Sequence, residues 1–162
     1  MLTREYVNSL LAWDRENGRF YWKVVPNKKQ KLQDKEAGHL STEGYWVIKI
    51  NKRQYKRGRL CFFMEHGRFP VDCIDHKNGI KDDDRICNLR EATITQNSWN
   101  HATRKKKTDL PMGVRLLANG KFGARIAYNK NKISLGAYKT IEQAEYVYKQ
   151  KRRELYGEFA IR

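Results

Sequence analysis

Cysteine is scarce in this chain. Cys61, Cys73 and Cys87 are the only three in 162 residues, and no two form a C-x-x-C pair. That spacing argues against a cysteine-type zinc site, and the three read as reduced, small apolar residues of a cytosolic protein. Long apolar runs are also missing. No stretch approaches the roughly 20 residues that span a bilayer, and no basic amphipathic helix stands out, so a membrane partner is not expected. The first residues, "MLTREYVNSLLAWDREN", contain acids and no sustained apolar core, unlike a signal peptide. Acidic residues are few: 18 Asp and Glu face 34 Lys and Arg, a formal net charge of +16. What is present is aromatic and apolar. Nine Tyr, six Phe and four Trp within a 40% hydrophobic chain supply a core and argue against disorder throughout. A folded, strongly basic protein of this size suits a polyanionic partner, with nucleic acid foremost.

The pattern divides the chain into segments. In residues 1–70, Thr3 can cap a short helix whose Tyr6, Leu10 and Leu11 share a face. "GRFYW" (18–22) and "GYWVIKI" (44–50) read as strands around a polar loop, and "RLCFFMEHG" (59–67) as a buried helix stopped by Gly67. Residues 71–101 follow the order strand ("VDCID"), loop, strand ("NLREAT"), helix ("TQNSWNHA"). Residues 102–109, with four consecutive cations, read as a basic linker. Residues 110–162 read as three strands and a helix. Asn119-Gly120 and 129–131 mark the turns, Thr140 and Gln143 fit a capping box, and Gly157 ends the helix. Residues 101–162 hold 15 Lys/Arg against five Asp/Glu, net +10, while the first 100 hold 19 against 13, net +6.

Against that background, "IDHKNGIKDDDRICNL" (74–89) gathers four aspartates, Asp75, Asp82, Asp83 and Asp84, around His76. A solvated turn at Asn78-Gly79 is the plainest account. A calcium loop of the EF-hand kind fails, because Lys77, Gly79 and Ile86 stand where oxygen ligands are required. A metal site for phosphodiester cleavage fits better. That reaction needs a base to activate water and a cation to stabilise charge on the phosphate. Magnesium keeps most of its waters, so one carboxylate and one amide oxygen are enough.

The run "DHKNGIKDDDRICNLREATITQNSWN" resembles the HNH endonuclease family, in the form common among phage and intron-encoded homing endonucleases. The segments before it resemble those that precede the motif in phage HNH proteins. "GVRLLANGKFGARIAYNKNKISLGAYKTIEQAEYVYKQKRRELYGEFA" resembles the Apetala-type, ethylene-response-factor DNA-binding domain often fused to them. The resemblance implies an α+β chain. A ββα-metal core at about 71–101 would lie within an HNH domain over 1–101, followed by the 102–109 linker. A three-stranded sheet packed on one helix would fill 110–162. It implies His76 as general base, Asp75 and Asn97 as metal ligands, and Asn88 as the brace of the loop. It implies magnesium as the cation, with manganese as the alternative. His101, one helical turn beyond Asn97, is an alternative ligand. Asp82 and Asp83 are expected to bond loop amides or to pair with Arg85 and Arg90. Two positions depart from the family pattern. Asp84 replaces a usual Asn, and Gly58 replaces the His of His-Arg-Leu.

For DNA contact, the expected residues are Arg104, Lys105, Lys106 and Lys107 of the linker and Arg115, Lys121, Arg125, Lys130 and Lys132 of the C-terminal sheet. Strand alternation puts Lys121, Gly123 and Arg125 on one face and Phe122, Ala124 and Ile126 on the other, against the helix. The expected protein is thus a metal-dependent endonuclease of phage homing type, acting on double-stranded DNA in a bacterial cytoplasm as a monomer or homodimer. The alternative is a non-catalytic DNA-binding protein or regulator on a degenerate HNH fold.

Overall fold

A computed structural model describes residues 2–23, 34–100 and 109–160. It has mixed α+β character, with four helices and four small antiparallel sheets among the described residues. The chain divides into two compact units, Met1–Asn97 and Ser98–Arg162.

In the first unit, helix α1 (Arg4–Leu10) starts where the Thr3 hydroxyl accepts from the Tyr6 amide at 3.2 Å. Its buried residue is Val7, whereas Tyr6, expected on the apolar face, is exposed. The chain then turns straight into β1 (Leu11–Asp14), which pairs with β2 (Arg19–Trp22) as a hairpin. Strands β3 (His39–Leu40), β4 (Trp46–Ile50) and β5 (Arg53–Lys56) form a sheet in that order. Helix α2 (Arg57–His66) follows and ends at Gly67, whose φ of 72° is a left-handed cap that glycine adopts without strain. Leu60, Cys61, Phe62, Phe63 and Met64 are all buried, so α2 is apolar around its circumference and runs through the core. Val7, Leu11, Phe20, Ile48, Ile50 and Leu89 close around it.

Strand β6 (Cys73–His76) pairs antiparallel with β7 (Leu89–Ala92), and α3 (Ile94–Asn100) follows. This is the strand, loop, strand, helix order read from the sequence. The second unit begins at Ser98, inside α3. Its Trp99 stacks on Tyr156 with ring centroids 4.7 Å apart, and Arg152 donates to the Trp99 carbonyl at 2.7 Å. The basic segment that was expected to separate two domains, with Arg104, Lys105, Lys106 and Lys107, lies outside the described residues, as does His101.

The second unit pairs β8 (Val114–Leu116) with β9 (Phe122–Tyr128) and β9 with β10 (Asn131–Tyr138), and packs them on α4 (Ile141–Tyr156). The β9–β10 turn places Asn129 and Lys130 at positive φ, 48° and 66°. Both central residues of a tight hairpin turn need this if it is to match strand twist. Thr140 caps α4 by accepting from the Gln143 amide at 3.3 Å. Val114, Ala124 and Ala144 form a compact core flanked by Phe122, Leu135 and Tyr138.

Candidate active site

The β6–β7 ribbon sets the site. Register places Asp75 opposite Arg90 and His76 opposite Leu89. Adjacent strand residues face opposite ways, and the two side chains do find separate partners. Asp75 is 3% exposed. Its Oδ2 accepts from Arg90 Nε at 2.7 Å, with Arg90 Nη2 at 2.6 Å. His76 Nε2 lies 2.8 Å from Asp84 Oδ1. Arg90 therefore pairs with Asp75 across the strands, not with Asp82 or Asp83.

The loop between the strands is braced by its own side chains. Asn88 Oδ1 accepts from the Asn78 amide at 3.0 Å, and Asn88 Nδ2 donates to the Asp83 carbonyl at 2.7 Å. Asp83 takes Arg85 Nε at 2.7 Å and Asn78 Nδ2 at 2.6 Å, and the Arg85 guanidinium holds its carboxyl below the usual range. Asp83 is thus loop scaffolding. Asp84 is not, although the sequence grouped the two. It is 2% exposed and also accepts from Arg57 Nε at 2.7 Å through Oδ2. Arg57 goes on to Glu36 Oε1 and the Asp82 carbonyl, both at 2.7 Å. A chain of ionisable side chains thus runs Glu36, Arg57, Asp84, His76, buried from Arg57 onward. Sequence reasoning missed Glu36 and Arg57, because both lie far from the motif in the chain and carry no pattern of their own.

His76, Asp84, Gly58 and Asn97 line one cleft of about 270 Å³, together with Tyr45, Lys56, Arg59, Cys73 and Lys81. Asp75 is not among the lining residues. Cys73, two residues before it on β6, does line the cleft. Burial is the main reason the Cys73 thiol is pushed up, so it stays protonated, and it donates to the Ala92 carbonyl at 3.1 Å. Burial likewise raises Tyr45, whose ring lies under Lys56 Nζ at 3.7 Å. Three cations, Lys56, Arg59 and Lys81, thus border a cleft that holds an imidazole. This is the charge balance a phosphate diester requires.

Among the described residues, no three His, Cys, Asp or Glu side chains gather as a metal cluster. The expected ligands are one carboxylate, Asp75, buried on β6, and one carboxamide, Asn97, which lines the cleft. Hard oxygens of this kind are what a divalent ion that keeps most of its waters takes.

The sequence profile of the family described as HNH endonuclease matches residues 55–99, the span that holds the end of β5, α2, the β6–β7 ribbon and nearly all of α3. The chain belongs to the HNH endonuclease family. An uncharacterized HNH endonuclease, L560 of Acanthamoeba polyphaga mimivirus, is 31% identical over 145 residues, 88% of this chain and 75% of that protein. No solved structure matches the chain. Family membership covers the nuclease fold and implies a DNA substrate and, as HNH nucleases generally use one, a divalent metal ion.

In the second unit, Arg115 stands opposite Gly123, Ser134 opposite Arg125 and Lys132 opposite Ala127. Alternation then puts Arg115, Arg125 and Lys132 on one exposed face, with Ala124 and Ile126 buried on the other. Lys121 and Lys130 are exposed at the turns. Gly123 departs from the expectation. It is buried on the cationic face because the Leu117 side chain folds over it.

Proposed function

We propose that this HNH protein is a metal-dependent DNA endonuclease of phage homing type. The observation that carries this reading is the buried His76, held by Asp84 in a cation-bordered cleft that Asn97 also lines. His76 takes a proton from water. The water oxygen forms a bond to phosphorus as the bond to the 3′ oxygen breaks, and the electron pair leaves with that oxygen. Asp75 and Asn97 would hold the divalent ion, most simply magnesium with manganese as substitute, which would supply charge stabilisation at the phosphate. Asn88 fixes the loop that carries His76. Lys56, Arg59 and Lys81 attract the backbone.

The C-terminal unit serves as an Apetala-type DNA-binding module over 110–162, joined to the nuclease domain over 1–101 by the basic segment 102–109. Its three-stranded sheet presents Arg115, Arg125 and Lys132 to the duplex, where Arg can read guanine in the major groove. Lys121, Lys130 and the linker cations Arg104 to Lys107 contact phosphates.

One observation favours a second reading, a DNA-binding regulator without catalysis. Arg90 already occupies an oxygen of Asp75, the assigned metal ligand. Supercoiled plasmid incubated with the full chain and magnesium separates the two. Nicked or linear product that disappears with EDTA and in His76→Ala supports the nuclease. Intact plasmid across magnesium, manganese and calcium, with salt-sensitive binding retained, selects the regulator.

A further inference from the structure

We infer that Asp84 is the positioning residue for His76 and that two glycines from distant parts of the chain make room for it. The inference rests on His76 being the base. Asp84 sits in a loop of acids, yet it is the one that is nearly inaccessible. Its two oxygens are divided. Oδ2 accepts from Arg57 Nε at 2.7 Å, and Oδ1 lies 2.8 Å from His76 Nε2. Arg57 is itself clamped by Glu36 and the Asp82 carbonyl, so the carboxylate is held at one oxygen by a fixed guanidinium while the other meets the imidazole.

The space around it is equally specific. A Cβ on Gly58 would stand 2.5 Å from Asp84 Oδ1, and a Cβ on Gly18 would stand 2.2 Å from the Asp84 carbonyl carbon and oxygen. Gly58 lies in the first turn of α2 without a positive φ, so the backbone there does not require glycine. Volume does. Gly18 in the β1–β2 turn admits the main chain of Asp84, and Gly58 admits its side chain.

A carboxylate accepting at Nε2 keeps the neutral imidazole's proton on that nitrogen. The lone pair is then at Nδ1, and the ring plane is fixed. Water gives its proton to Nδ1, and Asp84 keeps its contact with Nε2.

The test uses full-length, ¹⁵N-labelled protein and long-range ¹H–¹⁵N correlation spectra, which tell the two ring nitrogens apart. The His76 signals are identified by their loss in His76→Gln. The expected wild-type pattern is the Nε2–H tautomer. An Nδ1–H tautomer overturns the inference, and this arm needs no variant to fold. Asp84→Asn is expected to mix the tautomers and lower kcat about 10- to 100-fold with KM for DNA unchanged, the range for removing a supporting partner. Gly58→Ala is expected to do the same, and the double variant to be no worse than either single, because both act through one contact. Wild-type kcat in Asp84→Asn, or full additivity, sinks the inference. Cleavage by His76→Ala at the wild-type rate sinks instead the reading of His76 as base, whatever the tautomer.

Discussion

Buried charge is distributed unevenly between the two units. In Met1–Asn97, Arg57, Asp75, Asp84 and Arg90 are all nearly inaccessible and joined in pairs, and the buried His76 imidazole meets Asp84. In Ser98–Arg162, Arg152 is the only buried charge among the described residues, and it donates to main-chain carbonyls. The remaining described cations of that unit are exposed or partly exposed, around a core as small as Val114, Ala124 and Ala144. Burying ions is costly unless each is paired and hydrogen-bonded. A fold bears that cost where a side chain must be held to within a fraction of an ångström, as a reacting group must be. Gripping a phosphate backbone asks only for cations on a rigid face, and such cations are best left hydrated until they meet it.

The sharpest way to break this comparison is to delete a buried partner. Arg57→Leu strands the Asp84 carboxylate, and urea unfolding should show a loss of roughly 3–5 kcal/mol. A loss below about 1 kcal/mol would mean that the charge chain is not structural. In the second unit volume should matter instead. Ala144→Leu overfills a position with no exposure and should cost about 1–3 kcal/mol in the same experiment. Next come the exposed cations. Replacing Lys121 and Arg125 together by Ala should leave stability within about 0.5 kcal/mol. The slope of log affinity against log salt for duplex DNA should then fall by roughly two. An unchanged slope would remove both from the DNA interface.

The smallest effect belongs to an exposed pair on the nuclease unit. Arg68, with the Val71 amide, lowers the Glu91 carboxyl from the ordinary 4.5 to about 2. A carboxyl lowered on folding stabilises above its unfolded value, and that contribution fades as pH falls through the folded one. The melting-temperature gap between wild type and Glu91→Gln should be full above about pH 4.5 and close by about pH 2. A gap that is flat over this range would show that the pair contributes nothing through its charge.

Much of the fold was legible because its signals are local. Gly67 stops α2, Thr3 and Thr140 cap their helices, and the alternation through 121–126 separates the exposed Lys121 and Arg125 from the buried Ala124 and Ile126. The β1 strand was missed because Leu10 and Leu11 continue the apolar pattern of α1 with no Gly or Pro to mark the change. In the site, the cleft positions of His76 and Asn97 and the brace of Asn88 follow from the motif. The partners do not. Asp75 with Arg90 depends on strand register, and Asp84 with Arg57 spans 27 residues. No periodicity encodes such a pair. The sequence marked Gly58 and Asp84 as two separate departures from the family pattern, whereas the fold puts them in contact.

That contact constrains how the chain could have reached its present sequence. A Cβ at 58 would stand 2.5 Å from Asp84 Oδ1, so a side chain there presses on the oxygen that meets the histidine. The two positions are therefore coupled. Grafting this aspartate onto a related nuclease should hold the histidine best when its glycine moves with it.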